Sequence, residues 1–361
     1  MQDYYEIDFL DVETKKSGDA ITVRYSLNGR EYIHVVDGGY VSNGRMVIDH
    51  IRKYYGVSSK VDHVVSTHPD GDHTGGLRLV LEEMEVGTLW MNRPWLYSDE
   101  IIHRFSRFKN PDNLSRALKK AYPNTAALEE IALEKGIRIE EAFQGKNIGA
   151  FTIMAPTRSR YLDKIVESEK TGQVANVVNE GVVTADALRK FSDFVSKVVG
   201  YIRASWGEES FPSDPTSAEN EMSVVQYAVL CGEKILLTAD TGKEGLQEVV
   251  DYAPMVGLIL PGINRFQVPH HGSRRNVSTE LLDKILGKKL DNPSEGRFSA
   301  IISSAKEDED HPRKAVVRAM HHRGGKVSTT EGASICVGRN APQRAGWVTA
   351  PSVPYPDDQE S

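Results

Sequence analysis

In the first forty residues, apolar and polar positions alternate in two runs, 21–25 (Ile-Thr-Val-Arg-Tyr) and 32–36 (Tyr-Ile-His-Val-Val), with Asn28-Gly29 between them. A period of two around an Asn-Gly pair predicts a β-hairpin. The second run ends in Asp37-Gly38-Gly39, after which Val47, Ile48, Ile51 and Tyr55 recur at helical spacing until Gly56. Residues 61–65 read as a short buried strand. It opens into residues 67–73, Thr-His-Pro-Asp-Gly-Asp-His, then into Thr-Gly-Gly and another helical run. Ligand-type side chains therefore gather on a loop at a strand end, where chemistry is commonly mounted.

The texture changes between residues 92 and 219. Ile101, Ile102, Phe105 and Phe108 keep helical period, as do Leu188, Phe191, Val195, Val198 and Ile202. The block closes with residues 206–221, rich in Ser, Pro, Asp and Glu, which read as a mobile loop. Strand texture returns at 223–230 and 235–238, the latter delivering Asp240. Residues 266–268 lead into Pro269-His270-His271-Gly272-Ser273, and 300–302 lead to His311-Pro312. Pro312 suits the first position of a helix that Gly324 stops. The predicted organisation is α/β: residues 1–91 and 220–345 form two halves of one sandwich. Residues 92–219 are expected to be a mainly helical insertion that covers the site, and 346–361 a flexible polar tail.

Composition narrows the class. Apolar residues at 39% and charged residues at 26% are ordinary for a folded protein with a core. A net charge of −7 argues against the strong positive field of a dedicated nucleic-acid binder. Cys231 and Cys336 are too few for a disulfide framework and are expected to be buried and reduced. The chain opens with acidic residues rather than a basic stretch and an apolar run, and no apolar run approaches a membrane span, so a cytoplasmic protein is the expectation.

His68, Asp70, Asp72 and His73 place two imidazoles and two carboxylates within six residues, a ligand supply for one or two divalent ions. Asp240, His270 and His271, each at a later strand end, offer the bridging carboxylate and further imidazole that a dinuclear site would still lack.

With these pieces in hand, the chain resembles the metallo-β-lactamase superfamily, and most the branch typified by the hydrolase domain of the competence protein ComEC. That branch has HxDxDH where the superfamily commonly has HxHxDH. Gly18-Asp19-Ala20, Asp37-Gly38-Gly39, Asn220 with Ser223, residues 236–240, 268–273 and His311-Pro312 fall in the family's order. The resemblance spans roughly residues 5–91 and 220–338 and leaves the helical block uncovered. It implies a four-layer αβ/βα sandwich with metals at the edge between two sheets. His68, Asp70, Asp72, His73 and Asp240 map onto metal positions, and one of His270 and His271 completes the second site. Asp70 replaces the usual second histidine. The family's third-motif histidine has no match: only His103 lies in the interval, and its helical setting reads as surface or packing. Asn220 or a water would then fill that position. The carboxylates bring Mn²⁺ and Mg²⁺ into competition with Zn²⁺.

A phosphodiester is the expected substrate class, nucleic acid or nucleotide, because two metals stabilise both attacking and leaving oxygens. Asp72 is expected to act as ligand and base. Ser273, Arg274 and His311 would bind the anion, His311 beside the positive end of a helix. Arg313, Lys314, Arg318, His321, His322 and Arg323, or Lys109, Arg116, Lys119 and Lys120, could track a phosphate backbone, against the alternative of solvated helix faces. Trp90, Trp95, Tyr97, Trp206 and Phe211 could stack bases, and core packing explains most of them equally well. Two other classes stay open: a hydrolase of small esters, thioesters or lactones, and a binding or scaffold protein with a vestigial metal site.

Overall fold

Strand β1 (Tyr4–Phe9) turns Tyr5, Ile7 and Phe9 to one side and Glu6 and Asp8 to the other, and the same alternation runs through its neighbours. The computed structural model describes residues 2–56, 60–177, 200–294 and 296–361. In it the predicted hairpin forms from β2 (Ala20–Leu27) and β3 (Arg30–Gly38), with Asn28 and Gly29 at φ 53° and 78°. Parallel to β3 run β4 (Lys60–Val65), β5 (Glu85–Trp90) and β6 (Arg138–Glu140).

A second sheet is built from β7 (Asn147–Ile148), β8 (Phe151–Ala155), β10 (Val225–Leu230), β11 (Glu233–Leu237), β12 (Arg265–Gln267), β13 (Phe298–Ile302) and β14 (Gly325–Thr329). Between β8 and β10 in the chain, β9 (Tyr201–Arg203) pairs with the late strand β16 (Asp358–Glu360). The remaining strand, β15 (Ile335–Arg339), returns to the first sheet beside β1, so that sheet has the order β15-β1-β2-β3-β4-β5-β6.

Alternation along these strands creates three cores. Ile33, Val35, Val61, Val64 and Leu89 face the helices Gly44–Tyr54 and Leu77–Glu83. Val36, Val65, Ile21 and Val23 face the second sheet, where Ile235, Leu237 and Ile301 meet them. Leu236, Phe266 and Ala300 face outward again, onto the helices Lys243–Tyr252, Thr279–Leu286 and Lys314–His322. Helix, sheet, sheet, helix is the four-layer αβ/βα sandwich that the resemblance implied.

Residues 92–219 depart from a helical insertion. The helices Pro111–Ala121, Pro123–Glu134 and Arg158–Glu167 are there, but β6 extends the first sheet and β7 and β8 complete the second. The helical period at 101–108 yields only the short helix Ser98–Ile101 and a 3₁₀ turn at Ile102–Arg104, with Phe105 and Phe108 beyond it. Leu188, Phe191, Val195 and Val198 lie outside the described residues, and Ile202 is in β9 rather than a helix.

The loop 206–221 is held, not loose. The Glu209 carboxylate accepts from Arg323 and Thr279 and meets His322 at 2.9 Å, and the loop closes in the short helix Ala218–Glu221. The tail is likewise ordered by β16, where Glu360 accepts hydrogen bonds from the Lys314 and Ala315 amides at 2.9 and 3.0 Å. That carboxylate caps the helix Lys314–His322, which starts two residues after Pro312. Cys231 and Cys336 are unpaired and half-buried. Among the described residues, no helix is long and apolar enough to cross a membrane.

Candidate metal centre

Parallel strands all end at the same edge, and the loops leaving those ends carry the polar side chains. Asp37 is in the last turn of β3, His68 follows β4, Asp240 follows β11, and His270 and His271 follow β12. His73 and Asp72 come from the single helical turn Gly71–Thr74. The chain bends sharply to do this: Asp37, Ala239, His270 and His271, at these strand ends, all have positive φ. Such backbone geometry persists where surrounding structure over-determines it.

The side chains converge on Asp240. Its Oδ2 lies 3.8 Å from His68 Nε2, 3.5 Å from His270 Nε2 and 3.8 Å from His271 Nε2, and its Oδ1 lies 3.3 Å from His73 Nε2. Asp70 Oδ2 is 3.7 Å from His68 Nε2, and Asp72 Oδ2 is 3.7 Å from His271 Nε2 and 3.9 Å from His73 Nε2. All seven residues expected to be ligands are thus brought together.

Each imidazole is oriented from behind. Asp37 Oδ2 sits 2.8 Å from His73 Nδ1, and the Ser303 carbonyl 2.9 Å from His271 Nδ1. The Thr67 hydroxyl donates to Asp37 at 2.6 Å, so toward His68 Nδ1, 3.1 Å away, it offers a lone pair. Asn276 Nδ2 donates to the carbonyls of Asp240 and Thr241, which turns its Oδ1 to His270 Nδ1 at 3.0 Å. For His68, His73 and His271 the neighbour behind Nδ1 is an acceptor, which suits Nδ1–H and turns Nε2 inward; His270 Nδ1 stands between the Asn276 carbonyl oxygen and the Asn220 amide nitrogen.

Among the described residues most of those inner atoms lack a hydrogen-bond partner. His68 Nε2, His73 Nε2, His271 Nε2 and Asp240 Oδ1 are buried without one, although His73 Nε2 comes within 3.3 Å of Asp240 Oδ1. Buried polar atoms are nearly always paired, and four orphans gathered in one place fit a site that could hold a cation. The group Asp72, His73 and His271, and the group Asp19, His73 and Asp240, each present ligand atoms within 4.8 Å of one another.

Electrostatics agree. Burial alone would lower the His73 pKa, but Asp240, Asp37 and Asp72 outweigh it and raise it well above the usual imidazole range. His271 is pushed up to about 9: burial works against the shift, and Asp240 and Asp72 overcome it. Burial opposes ionisation of Asp240, yet His73, His270 and His271 hold its pKa well below the ordinary carboxylate value. These carboxylates demand positive charge, as protons on the imidazoles or as a divalent cation.

Several expected roles change with the geometry. Asn220 meets His270 Nδ1 through its amide at 3.0 Å, which makes it a support of that imidazole. His103 is exposed on its 3₁₀ turn. His311 does lie against the cluster, with ring centroids 5.4 Å from His270 and 6.0 Å from His271, and Asp308 Oδ2 is 3.4 Å from its Nδ1. The helix end near it is not open to an anion, because Glu360 caps it. Ser273 is buried, with its hydroxyl accepting from the Arg275 amide at 3.4 Å, and Arg274 donates to the Ser361 carbonyl at 3.1 Å. Neither has a described bond to a cluster side chain.

Of the basic groups after Pro312, Arg318, His321, His322 and Arg323 are buried, and Arg313 and Lys314 are partly exposed. Arg318 donates to the carbonyls of Pro356, Ala204 and Ser205, and Arg323 pairs with Glu209 and Asp283. Arg313 pairs with Asp310, Lys314 with Asp358, and His321 meets the Val353 carbonyl at 2.8 Å. Trp95 and Tyr97 are in the core, Trp90 and Phe211 pack against cores, and Trp206 packs on His322 and Tyr355. Sequence reasoning missed Asp19, whose Oδ2 accepts from Gln267 while Oδ1 has no partner, and Asp37, although both stood in quoted motifs. It also missed Lys170, which forms an ion pair with Asp70.

No protein-family model and no curated protein matches the chain. Among solved structures, a Thermotoga maritima protein described as a metallo-beta-lactamase is 10% identical; the match covers 70% of this chain and 92% of that one, with a TM-score of 0.32. The hydrolase AbOPH, described as a member of the beta lactamase superfamily, is also 10% identical over 62% of this chain and 56% of its own length, with a TM-score of 0.27. At those scores neither likeness carries weight, and the architecture rests on the strand order and the three cores. What these establish is a four-layer αβ/βα sandwich with a His/Asp cluster able to hold divalent metal at its edge.

Proposed function

We propose that the chain is a metal-dependent phosphodiesterase of the metallo-β-lactamase type, acting on a nucleic acid or nucleotide. The observation that carries this is the convergence of four imidazoles on the Asp240 carboxylate. His68, His270 and His271 face its Oδ2 and His73 its Oδ1, with Asp70 beside His68 and Asp72 beside His73 and His271. These side chains would hold one or two divalent cations, Mn²⁺ or Zn²⁺, with Mg²⁺ a third candidate. Two such cations would supply an activated water and positive charge against both the attacking and the leaving oxygen of a phosphodiester.

The protein's own groups have separate tasks. Asp37, Thr67, Asn276 and Ser303 fix the imidazoles and so exclude rearrangement of the donors. Asp72 is more open to solvent than Asp240, with side-chain exposures of 25% and 3%, and is the carboxylate placed to orient an incoming water. His311, backed by Asp308 and lying beside His270 and His271, would pass a proton, when it carries one, to a leaving oxygen. Burial lowers its pKa, which favours release of that proton.

The test is hydrolysis of bis(p-nitrophenyl) phosphate and labelled single-stranded DNA with Mn²⁺, Mg²⁺ or Zn²⁺, for the wild type and Asp72→Ala. Metal-dependent cleavage lost in the variant supports the proposal. Cleavage of activated carboxyl esters but of neither phosphodiester replaces it with a small-ester hydrolase, and binding without hydrolysis replaces it with a scaffold.

A further inference from the structure

Seven side chains of the cluster come from the two strand-rich halves of the chain, but an eighth reaches it from elsewhere. Lys170, on the helix Glu169–Val177, sets its ammonium against Asp70 Oδ1, while Asp70 Oδ2 faces His68. The pair lies on the open side of the cluster: the Lys170 and Asp70 side chains are 39% and 29% exposed, whereas those of His68 and His73 are fully buried. The other two carboxylates, Asp72 and Asp240, are faced by imidazoles instead.

The backbone beneath Lys170 is fixed on both sides. The Ser168 hydroxyl donates to Glu219 at 2.6 Å, and Thr171, which is buried, shares a 2.9 Å hydrogen bond with the Tyr122 hydroxyl. The Thr171 amide donates to Ser168 Oγ at 3.3 Å. An exposed lysine normally spends its side-chain freedom in solvent, and holding its neighbours in place lowers the entropy lost when the ammonium grips a ligand. Glu219 and Asn220 are consecutive, so the segment that supports His270 also anchors the lysine.

We propose that Lys170 is the anchor for the anionic group of the substrate. The inference rests on the phosphodiesterase proposal above. Asp70 cannot serve a divalent cation and neutralise the ammonium equally well, so cation binding frees Lys170 to pair with an arriving oxyanion. A mononuclear or dinuclear site flanked by an ammonium favours a phosphate diester over a neutral ester. It does so through one charge-assisted hydrogen bond that a neutral substrate cannot make.

The experiment uses the full chain loaded with Mn²⁺ and the variants Lys170→Met and Lys170→Arg. Three quantities are read: the Mn²⁺ dissociation constant, the dissociation constant of inorganic phosphate from the loaded protein, and kcat and KM for bis(p-nitrophenyl) phosphate. Losing a charge-assisted hydrogen bond predicts that Lys170→Met raises the phosphate dissociation constant and KM by about 10- to 100-fold. Mn²⁺ affinity is unchanged or tighter, kcat changes less than KM, and Lys170→Arg retains most of the binding. Unaltered phosphate binding in Lys170→Met overturns the proposal. So does a parallel loss of Mn²⁺ affinity, which would make the lysine a support of Asp70. If the wild type cleaves no phosphodiester, the phosphodiesterase proposal fails on its own, and the phosphate-binding comparison still decides the role of Lys170.

Discussion

Asp37 Oδ2 lies 2.8 Å from His73 Nδ1 and takes the Thr67 hydroxyl at 2.6 Å, so one buried carboxylate orients His73 directly and His68 through Thr67. Its replacement therefore removes the orientation of both imidazoles together with one of the carboxylate charges that bear on His73. Asp37→Ala is expected to weaken Mn²⁺ or Zn²⁺ binding by about 10- to 100-fold, as measured by titration calorimetry. Binding as tight as the wild type would mean that packing alone fixes the imidazoles.

Metal binding should also stabilise the fold, because its donors come from both halves of the sandwich. A ligand at about 100 times its dissociation constant contributes about 2.7 kcal/mol to a state that alone binds it. Added Mn²⁺ or Zn²⁺ is expected to raise the melting temperature by a few degrees, and EDTA to reverse the rise. His73→Ala should abolish the response. A melting temperature indifferent to metal in the wild type would count against the cluster as a cation site.

Gly76 is a place where the fold leaves no room. A Cβ there would lie 2.0 Å from the Gly38 carbonyl oxygen, and the Gly76 amide already donates to Gly39 O at 3.0 Å. Backbone cannot yield as a side-chain tip can, so Gly76→Ala should cost more than about 4 kcal/mol or prevent folding. Gly172, with no atom within 4 Å of its Cβ position, is the control: Gly172→Ala should change stability by less than about 1 kcal/mol, in the stabilising direction. Urea unfolding of the two variants separates these outcomes.

Acid should unfold the protein partly through Glu209. Burial alone would raise its pKa, but hydrogen bonds from His322 and Arg323 pull it down from 4.5 to about 2. A carboxylate depressed in the folded state adds stability above its unfolded pKa and loses it as pH falls through the folded value. The contribution is on the order of 3 kcal/mol, present at pH 7 and lost between about pH 5 and 2. Asp8, lowered to about 2 by His50 and Arg344 against the effect of burial, adds a second such share. Glu209→Gln should lower stability at pH 7 and flatten the loss below pH 5, as read from urea midpoints at several pH values. An unchanged pH profile would assign acid sensitivity to other carboxylates.

Much of the centre was legible because its residues are dense in sequence or sit where apolar runs stop. His68 to His73 share one loop, and Asp240 and His270 follow recognisable strands. What escaped was whatever depends on a distant partner. Arg318 and Arg323 look like a basic surface until Glu209 and the carbonyls of 204, 205 and 356 are brought to them. Lys170 carries no local mark at all, since its meaning comes from Asp70, a hundred residues earlier. Strands β6 and β7, with three and two residues, are too short to display a period and were absorbed into helical texture. The convergence of both His270 and His271 on Asp240 Oδ2 is a matter of direction, which spacing does not encode.

The edge of the first sheet has a consequence for how the molecule is made. Strand β1 is flanked by β2 on one side and by β15 on the other, and Ile7 waits opposite Val337 for a segment that is made long after it. Until then the hairpin is finished but one border of it is bare, and the loops carrying Asp240, His270 and His271 have only just been threaded in. Long-range pairing of this kind is slow and exposes sticky strand borders to other chains. Newly synthesised protein should therefore depend on temperature and on chaperones for yield in a way the finished protein does not. Activity should appear as a late step, once β15 has paired with β1.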